Sequence, residues 1–274
     1  MTDTPRLRAP SAPSTSRRAW LRAALLGGAT LAVAAPPVGA ALMRRAAVPA
    51  PFRPTFPNSG LVTNEYAHWN PTKPGAKLST VWDMTSGSVF GLNGAAWSGV
   101  PDSISPNAGS TNGNNSCVFR LASQRHDFEN TVVTTQMWLS ALVSTPRTPA
   151  VNWDGLHLWM RYHDETELYA VSVARRDGVC VIKRKNPPGS ENGGTYYQIG
   201  STARNVFPRN TWVNVRTSAT TLSNGTVRLI LEVGGRRVLD VVDRTPRNLL
   251  IAGGVGVRGD NANFQFRNFV AAAS

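Results

Sequence analysis

From Cys117 onward the chain alternates apolar and polar side chains with a period of two. Successive side chains of a strand point to opposite faces of a sheet, so this period predicts strands with one buried face and one solvated face. The segments that carry it are Cys117–Ser123, Thr131–Ser140, Gly155–Tyr162, Leu168–Arg175, Val179–Lys185, Thr195–Ile199, Trp212–Ala219, Thr226–Val233, Arg237–Val242, Gly254–Arg258 and Asn263–Val270. Asp177-Gly178, Asn224-Gly225 and Gly234-Gly235 lie between strands and suit tight hairpins. Longer loops are expected at Pro101–Asn115 and Asn186–Gly194, and no long amphipathic helix or internal repeat is visible. Many short strands joined by such turns predict an all-β fold, a two-sheet antiparallel jelly-roll sandwich. Leu156, Leu158, Met160, Ile182, Val213, Val215, Leu229, Leu231, Val255, Val257, Phe264 and Phe266 are expected between its sheets.

The first 45 residues break the pattern and read as an address. Ser16-Arg17-Arg18-Ala19-Trp20-Leu21-Arg22 precedes an apolar helical run from Ala23 to Ala35, the anatomy of an export signal. The Arg17-Arg18 pair before Trp20-Leu21 is similar to a twin-arginine signal. Ala32-Val33-Ala34 and Val38-Gly39-Ala40 offer small-residue cleavage sites. Leu21 to Met43 is also long enough for a retained anchor, although Pro36-Pro37 interrupts it. The expectation is a secreted or cell-surface monomer that touches a membrane only through this segment, if it stays uncleaved. Residues 46–59 contain Pro49, Pro51, Pro54 and Pro57 and predict a stiff, extended linker. Residues 60–274 then form one β-sandwich domain, long enough for a sizeable core.

Charge matters once the address is set aside. The chain carries 29 Lys+Arg and 16 Asp+Glu, but seven Arg and one Asp fall in the first 45 residues, leaving 22 basic and 15 acidic. Eighteen of those 22 are Arg, spread along the chain, so the choice lies between a solvated basic surface and affinity for an acidic polymer. No nucleic-acid motif accompanies them. Cys117 and Cys180 show no metal-binding spacing. In an oxidising compartment they either pair between neighbouring strands or stay as separate buried thiols, and geometry decides.

Trp153-Asp154-Gly155-Leu156-His157-Leu158-Trp159-Met160-Arg161-Tyr162 is followed by Leu168-Tyr169-Ala170-Val171, Val181-Ile182-Lys183-Arg184-Lys185, Asn210-Thr211-Trp212-Val213-Asn214-Val215 and a closing Val-Gly-Val-Arg strand. This order resembles the concanavalin A-like lectin/glucanase (laminin-G-like) superfamily over roughly Gly60 to Val270. The resemblance implies the sandwich and an outer sheet face that often holds sugar; members bind, hydrolyse or cleave polysaccharides, and fold does not choose among these. Parity sets His157, Trp159 and Arg161 opposite Leu156, Leu158 and Met160. Joining that face with Tyr169, Arg175, Lys183 and Lys185 gives a candidate glycan site. An indole offers an apolar plate to a sugar ring, Arg a planar fork of donors and Lys a point charge. Packing as ordinary core and a solvated cationic face are the plain alternative.

Catalytic signals are weaker. The Glu-x-Asp-x-x-Glu strand of the superfamily's glycosidases, which supplies two carboxyl groups across a scissile bond, has no counterpart. Asp164-Glu165-Thr166-Glu167 sits in a hairpin connection. The Gln-x-His strand of alginate-type lyases is reduced to Thr135-Gln136-Met137-Trp138, and Tyr196-Tyr197-Gln198 echoes only part of their Tyr motif. A lyase would draw on Arg161, His157 and Tyr169 or Tyr196 as neutraliser, base and acid. The favoured reading is a non-catalytic carbohydrate-binding domain, with a polysaccharide lyase or glycosidase, or a cell-surface protein-interaction module, as alternatives. No cofactor is required. Resemblance to calcium-tied jelly-rolls marks Glu65 and Asp260 for a structural calcium, although Asp260 in Gly-Asp-Asn is equally a turn former.

Overall fold

The computed structural model describes residues 49–104 and 117–274, so the export segment and most of the Pro101–Asn115 loop lie outside the described residues. The strands are β1 (Leu61–Asn64), β2 (Trp82–Ser86), β3 (Ser88–Leu92), β4 (Ala95–Trp97), β5 (Val118–Ser123), β6 (Thr131–Leu142), β7 (Gly155–Tyr162) and β8 (Leu168–Arg175). They continue as β9 (Val179–Glu191), β10 (Gly194–Arg204), β11 (Val213–Thr221), β12 (Val227–Val233), β13 (Arg236–Asp243), β14 (Gly254–Asp260) and β15 (Ala262–Ala273). Among the described residues one short helix, α1 (Glu65–Trp69), follows β1. One sheet has the order β1-β3-β4-β15-β6-β11-β12-β13 and the other β10-β9-β8-β7-β14-β5-β2. The pairings are antiparallel, and the chain is the expected two-sheet sandwich.

All twelve residues expected between the sheets are buried, Phe264 and Phe266 completely. In β6 the alternation is clean: Val133, Met137 and Leu139 face the core while Val132, Gln136 and Trp138 are half-buried. At roughly 25 cal/mol per Å² of apolar surface removed from water, burial of these inner faces drives the two sheets together. The central strands of the seven-stranded sheet differ. Every residue of β7 is buried, so both of its faces are covered.

Three expectations change. Strand structure begins at Leu61, not Cys117; β1–β4 are short, and glycines and prolines crowd that stretch and hide the period. Asn186–Gly194 is the tip of a long β9–β10 hairpin turning at Asn192-Gly193, both at positive φ. The proline-rich stretch does not hang free. Phe52 bridges to Ala271, and Phe52 and Phe56 are buried in the core against Trp82. The two cysteines are free and buried, and Cys180 donates to the Val173 carbonyl.

Candidate functional site

A groove lies on the outer face of the seven-stranded sheet, and strand register builds its floor. Arg120, Arg258, His157, Ser172 and Val181 form one row across β5, β14, β7, β8 and β9. Two residues along each strand, Ala122, Gly256, Trp159, Ala170 and Lys183 form the next. Lys185 pairs with Tyr196 of β10 beyond that. Trp153, from the turn before β7, and Glu191 and Asn192, from the hairpin tip, complete an open pocket of about 280 Å³.

At its base Arg258 holds Asp260 in a fork, Nε to Oδ2 at 2.7 Å and Nη2 to Oδ1 at 3.0 Å, and donates from Nη1 to the Tyr196 hydroxyl at 2.9 Å. Burial alone would push the Asp260 carboxyl up, but Arg258 and His157 outweigh it and hold it well below the usual carboxylate range. Burial likewise opposes the Arg258 charge, and Asp260 and Tyr196 more than restore it. This pair is therefore ionised and self-neutralised. His157 hydrogen-bonds Ser172 Oγ through Nδ1 at 2.9 Å, with Nε2 3.4 Å from Asp260 Oδ2. Burial lowers its pKa more than Asp260 raises it, so the imidazole is neutral at neutral pH.

The rest of the lining is a surplus of positive charge. Arg120, Arg175, Lys183 and Lys185 join Arg258, against Glu191 and Asp260. Arg175 is paired with Asp177, and Arg120 lies 3.4 Å from Glu165. The Lys183 and Lys185 ammonium groups stand 5.8 and 5.1 Å from the centroid of the Tyr196 ring. Burial, then Arg120 and Arg258, pushes the Lys185 amine down to about 8. Burial and Arg175 lower Lys183 too. Crowded cations, half-buried at Lys183 and buried at Lys185, gain when an anion enters.

Of the residues expected to form a site, His157, Arg175, Lys183 and Lys185 line the groove. Trp159 is on the expected face but only 2% exposed; it stacks on Tyr162 with centroids 5.0 Å apart and planes 8° apart. It is therefore part of the floor and presents no open plate. Arg161 is 1% exposed and points elsewhere. Between Trp159↔Gly256 and Tyr162↔Gly254, β7 carries one residue more than β14, and Arg161 adopts φ 47° there. This bulge breaks the parity, so Trp159 shares its face with Tyr162 instead. The Arg161 guanidinium donates to the Glu129 and Leu249 carbonyls and to Thr221 Oγ1. Tyr169 is fully buried on the inner face, its hydroxyl donating to Asp243 Oδ2 at 2.9 Å. A second irregularity, where Leu156↔Ala174 gives way to His157↔Ser172, lies between Tyr169 and Arg175 and turns Arg175 alone toward the groove.

The calcium expectation does not fit. Asp260 is taken up by Arg258, whose cation disfavours a second one, and Glu65 accepts from the Gly87 N–H at 2.8 Å. Among the described residues no group of three His, Cys, Asp or Glu side chains is placed to hold a metal.

Sequence reading missed Arg120, Trp153 and Arg258 as lining residues. Trp153 is 55% exposed and is the open aromatic plate that Trp159 is not.

No family model and no curated protein sequence matches the chain. Among solved structures it is similar to a double mutant of the alginate lyase Aly36B in complex with alginate tetrasaccharide, at 11% identity and TM-score 0.47, over 83% of this chain and 98% of that one. It is also similar to a legume lectin-like domain from Entamoeba histolytica, at 9% identity and TM-score 0.44, over 71% and 90%. A third is a protein of unknown function with a galectin-like fold from Bacillus subtilis, at 10% identity and TM-score 0.44, over 70% and 88%.

Proposed function

We propose that the groove binds an acidic polysaccharide and that the chain is an exported, lectin-like carbohydrate-binding domain. The observation that carries this is the Lys183–Tyr196–Lys185 cluster in a groove with more cations than carboxylates. A uronate offers a carboxylate for the ammonium groups and a C–H face for Tyr196 or Trp153. The test is affinity electrophoresis of the full chain in gels containing polygalacturonate or alginate. Retardation should fall with salt, because exposed charges are screened within about 8–10 Å near physiological ionic strength. It should drop sharply in Lys183→Ala and Trp153→Ala. Retardation unchanged in both variants would remove the groove from the account.

A second reading, a polysaccharide lyase, rests on Lys185. An amine near pKa 8 beside a phenol is suited to take the proton next to a uronate carboxyl, while Tyr196 protonates the departing glycosidic oxygen. The C–H and C–O bonds break and a carbon–carbon double bond forms, so no co-reactant is needed. Yet the Lys185 nitrogen already donates to the Glu165 carbonyl and is protonated below about pH 8, which favours binding over base chemistry. Appearance of an ultraviolet-absorbing unsaturated sugar from polygalacturonate or alginate, lost in Lys185→Met, would establish the lyase; its absence after long incubation would leave binding alone.

A further inference from the structure

The eight-stranded sheet also turns a face to solvent, and a line of aromatic side chains crosses it. Phe90 pairs with Trp97, Trp97 with Gln265 and Gln265 with Trp138, a single row over β3, β4, β15 and β6. Trp212, directly before β11, extends the row, its ring 5.7 Å from that of Trp138. Their chain neighbours Val89, Ala96, Phe266, Met137 and Val213 are buried, so parity sets the row on the outer face, and all its members are half-buried. No core packing accounts for four large aromatics aligned there.

The rings are held in place. Trp97 Nε1 donates to Asn263 Oδ1 at 2.9 Å, and Trp138 Nε1 to Ser140 Oγ at 3.1 Å. Arg267 lies 4.1 Å over the Trp212 ring and donates to Gln136 Oε1 at 2.9 Å. Plates whose polar ends are already satisfied lose little freedom when a ligand stacks on them. Phe90 with Trp97, and Trp138 with Trp212, form two such pairs. With β15 between them, Trp97 and Trp138 sit about 10 Å apart, two strand spacings.

Charge separates this face from the groove. The row itself is uncharged and its polar neighbours are mostly amides and hydroxyls; of the cations beside it, Arg267 is stacked and hydrogen-bonded, Arg216 is paired with Glu232, and Arg209, bridged through its backbone to Leu139, is exposed. One exposed arginine at the end of the row offers an acidic polymer little beside the five basic side chains that line the groove. An uncharged chain rich in hydroxyls finds flat apolar plates alternating with amide donors and acceptors. We infer that this row is a second carbohydrate platform, taking a neutral, extended polysaccharide laid across the strands, independent of the groove on the opposite sheet.

Affinity electrophoresis of the full chain against hydroxyethylcellulose, glucomannan and galactomannan tests this. At least one should retard the protein, with no loss on adding salt. Trp138→Ala and Trp97→Ala should each weaken that retardation about tenfold, the scale of one lost aromatic contact. Trp138→Phe should keep most of it, and Lys183→Ala all of it. Thermal unfolding of each variant separates lost binding from lost folding; if Trp138→Ala does not fold, Trp97→Ala and Trp138→Phe decide. No retardation by any of the three polymers would overturn the inference, as would retardation indifferent to both tryptophans. So would self-association in sedimentation that Trp138→Ala abolishes, which would make the row a contact between copies. None of these results touches the acidic-polymer reading, whose probes are different and whose losses fall on Lys183 and Trp153.

Discussion

Single residues decide how the groove responds to pH. Lys185 has a folded pKa near 8, below its ordinary value, because it is buried among Arg120 and Arg258. It is a cation below that pH and loses its charge above it. Affinity for polygalacturonate should therefore fall as pH rises from 7 to 9, and Lys185→Arg, always charged, should flatten the profile. A wild-type profile flat over this range would show that Lys185 does not meet the ligand. Arg161 teaches the opposite lesson. It was legible as a cation on the site's strand, but its left-handed backbone was not, because only tertiary pairing imposes φ 47° on an arginine. Arg161→Ala should leave glycan affinity unchanged. It should cost about 3 kcal/mol in urea unfolding, since it strands buried carbonyls that a charged donor now satisfies.

At the scale of elements, the sequence showed strands well and faces less well. The period of two located most strands from β5 to β15 and twelve residues of the inner face, but it set the inner-facing Tyr169 outside. It failed wherever a strand gained a residue, at Arg161 in β7 and near Val173 in β8, because one extra residue moves every later side chain to the other face. The glycines opposite hold the only local hint. Gly254 and Gly256 face the β7 bulge, and a Cβ on Gly256 would stand 2.4 Å from the Leu121 carbonyl oxygen. β9 and β13 are joined by a buried pair that no local pattern announces: Arg184 Nη1 lies 2.8 Å from Asp243 Oδ2, and Tyr169 donates to the same carboxylate. Burial opposes the Asp243 charge, but Arg184 and Thr245 hold its pKa below the ordinary value. Asp243→Asn should destabilise by about 3–5 kcal/mol, the cost of leaving a buried cation without its partner. A loss below about 1 kcal/mol in denaturant titration would show that the guanidinium finds solvent.

For the whole molecule, the depressed carboxylates and the neutral His157 set the acid limit. The sign is the same for both. Asp243 and Asp260 bind protons more weakly folded than unfolded, so their contribution is present above the ordinary carboxylate pKa near 4 and is lost below it. His157 also prefers the neutral form when folded, so its share starts to fade as pH falls below about 6.5. His68, raised by its bond to Asp83, acts in the opposite sense and gains from the same acidification. Midpoints of urea unfolding should thus fall in two stages toward acid, and His157→Gln should weaken the first.

The same scale holds the piece of architecture least visible in sequence. Four prolines between residues 49 and 57 read as a spacer, yet the two phenylalanines among them close the sandwich. Phe52 packs edge-on to Trp82 and Phe269 with centroids at 5.2 and 6.2 Å, and Phe56 packs against Phe266 at 5.2 Å. The strap also lies so close to β3 that a Cβ on Gly91 would meet the Pro57 carbonyl oxygen at 2.4 Å. Proline stiffness lowers the entropy lost when such a segment docks, which is a physical reason to find prolines in a strap as well as in a spacer. Phe52→Ala and Phe56→Ala should each cost roughly 3–5 kcal/mol, as truncations of buried aromatics do. Both rings touch Trp82, so the double variant should fall short of the sum. A chain beginning at Asn58 should unfold at markedly lower denaturant and expose Trp82 to quenchers of tryptophan fluorescence. Unchanged stability in that shortened chain would return residues 49–57 to the role of a linker.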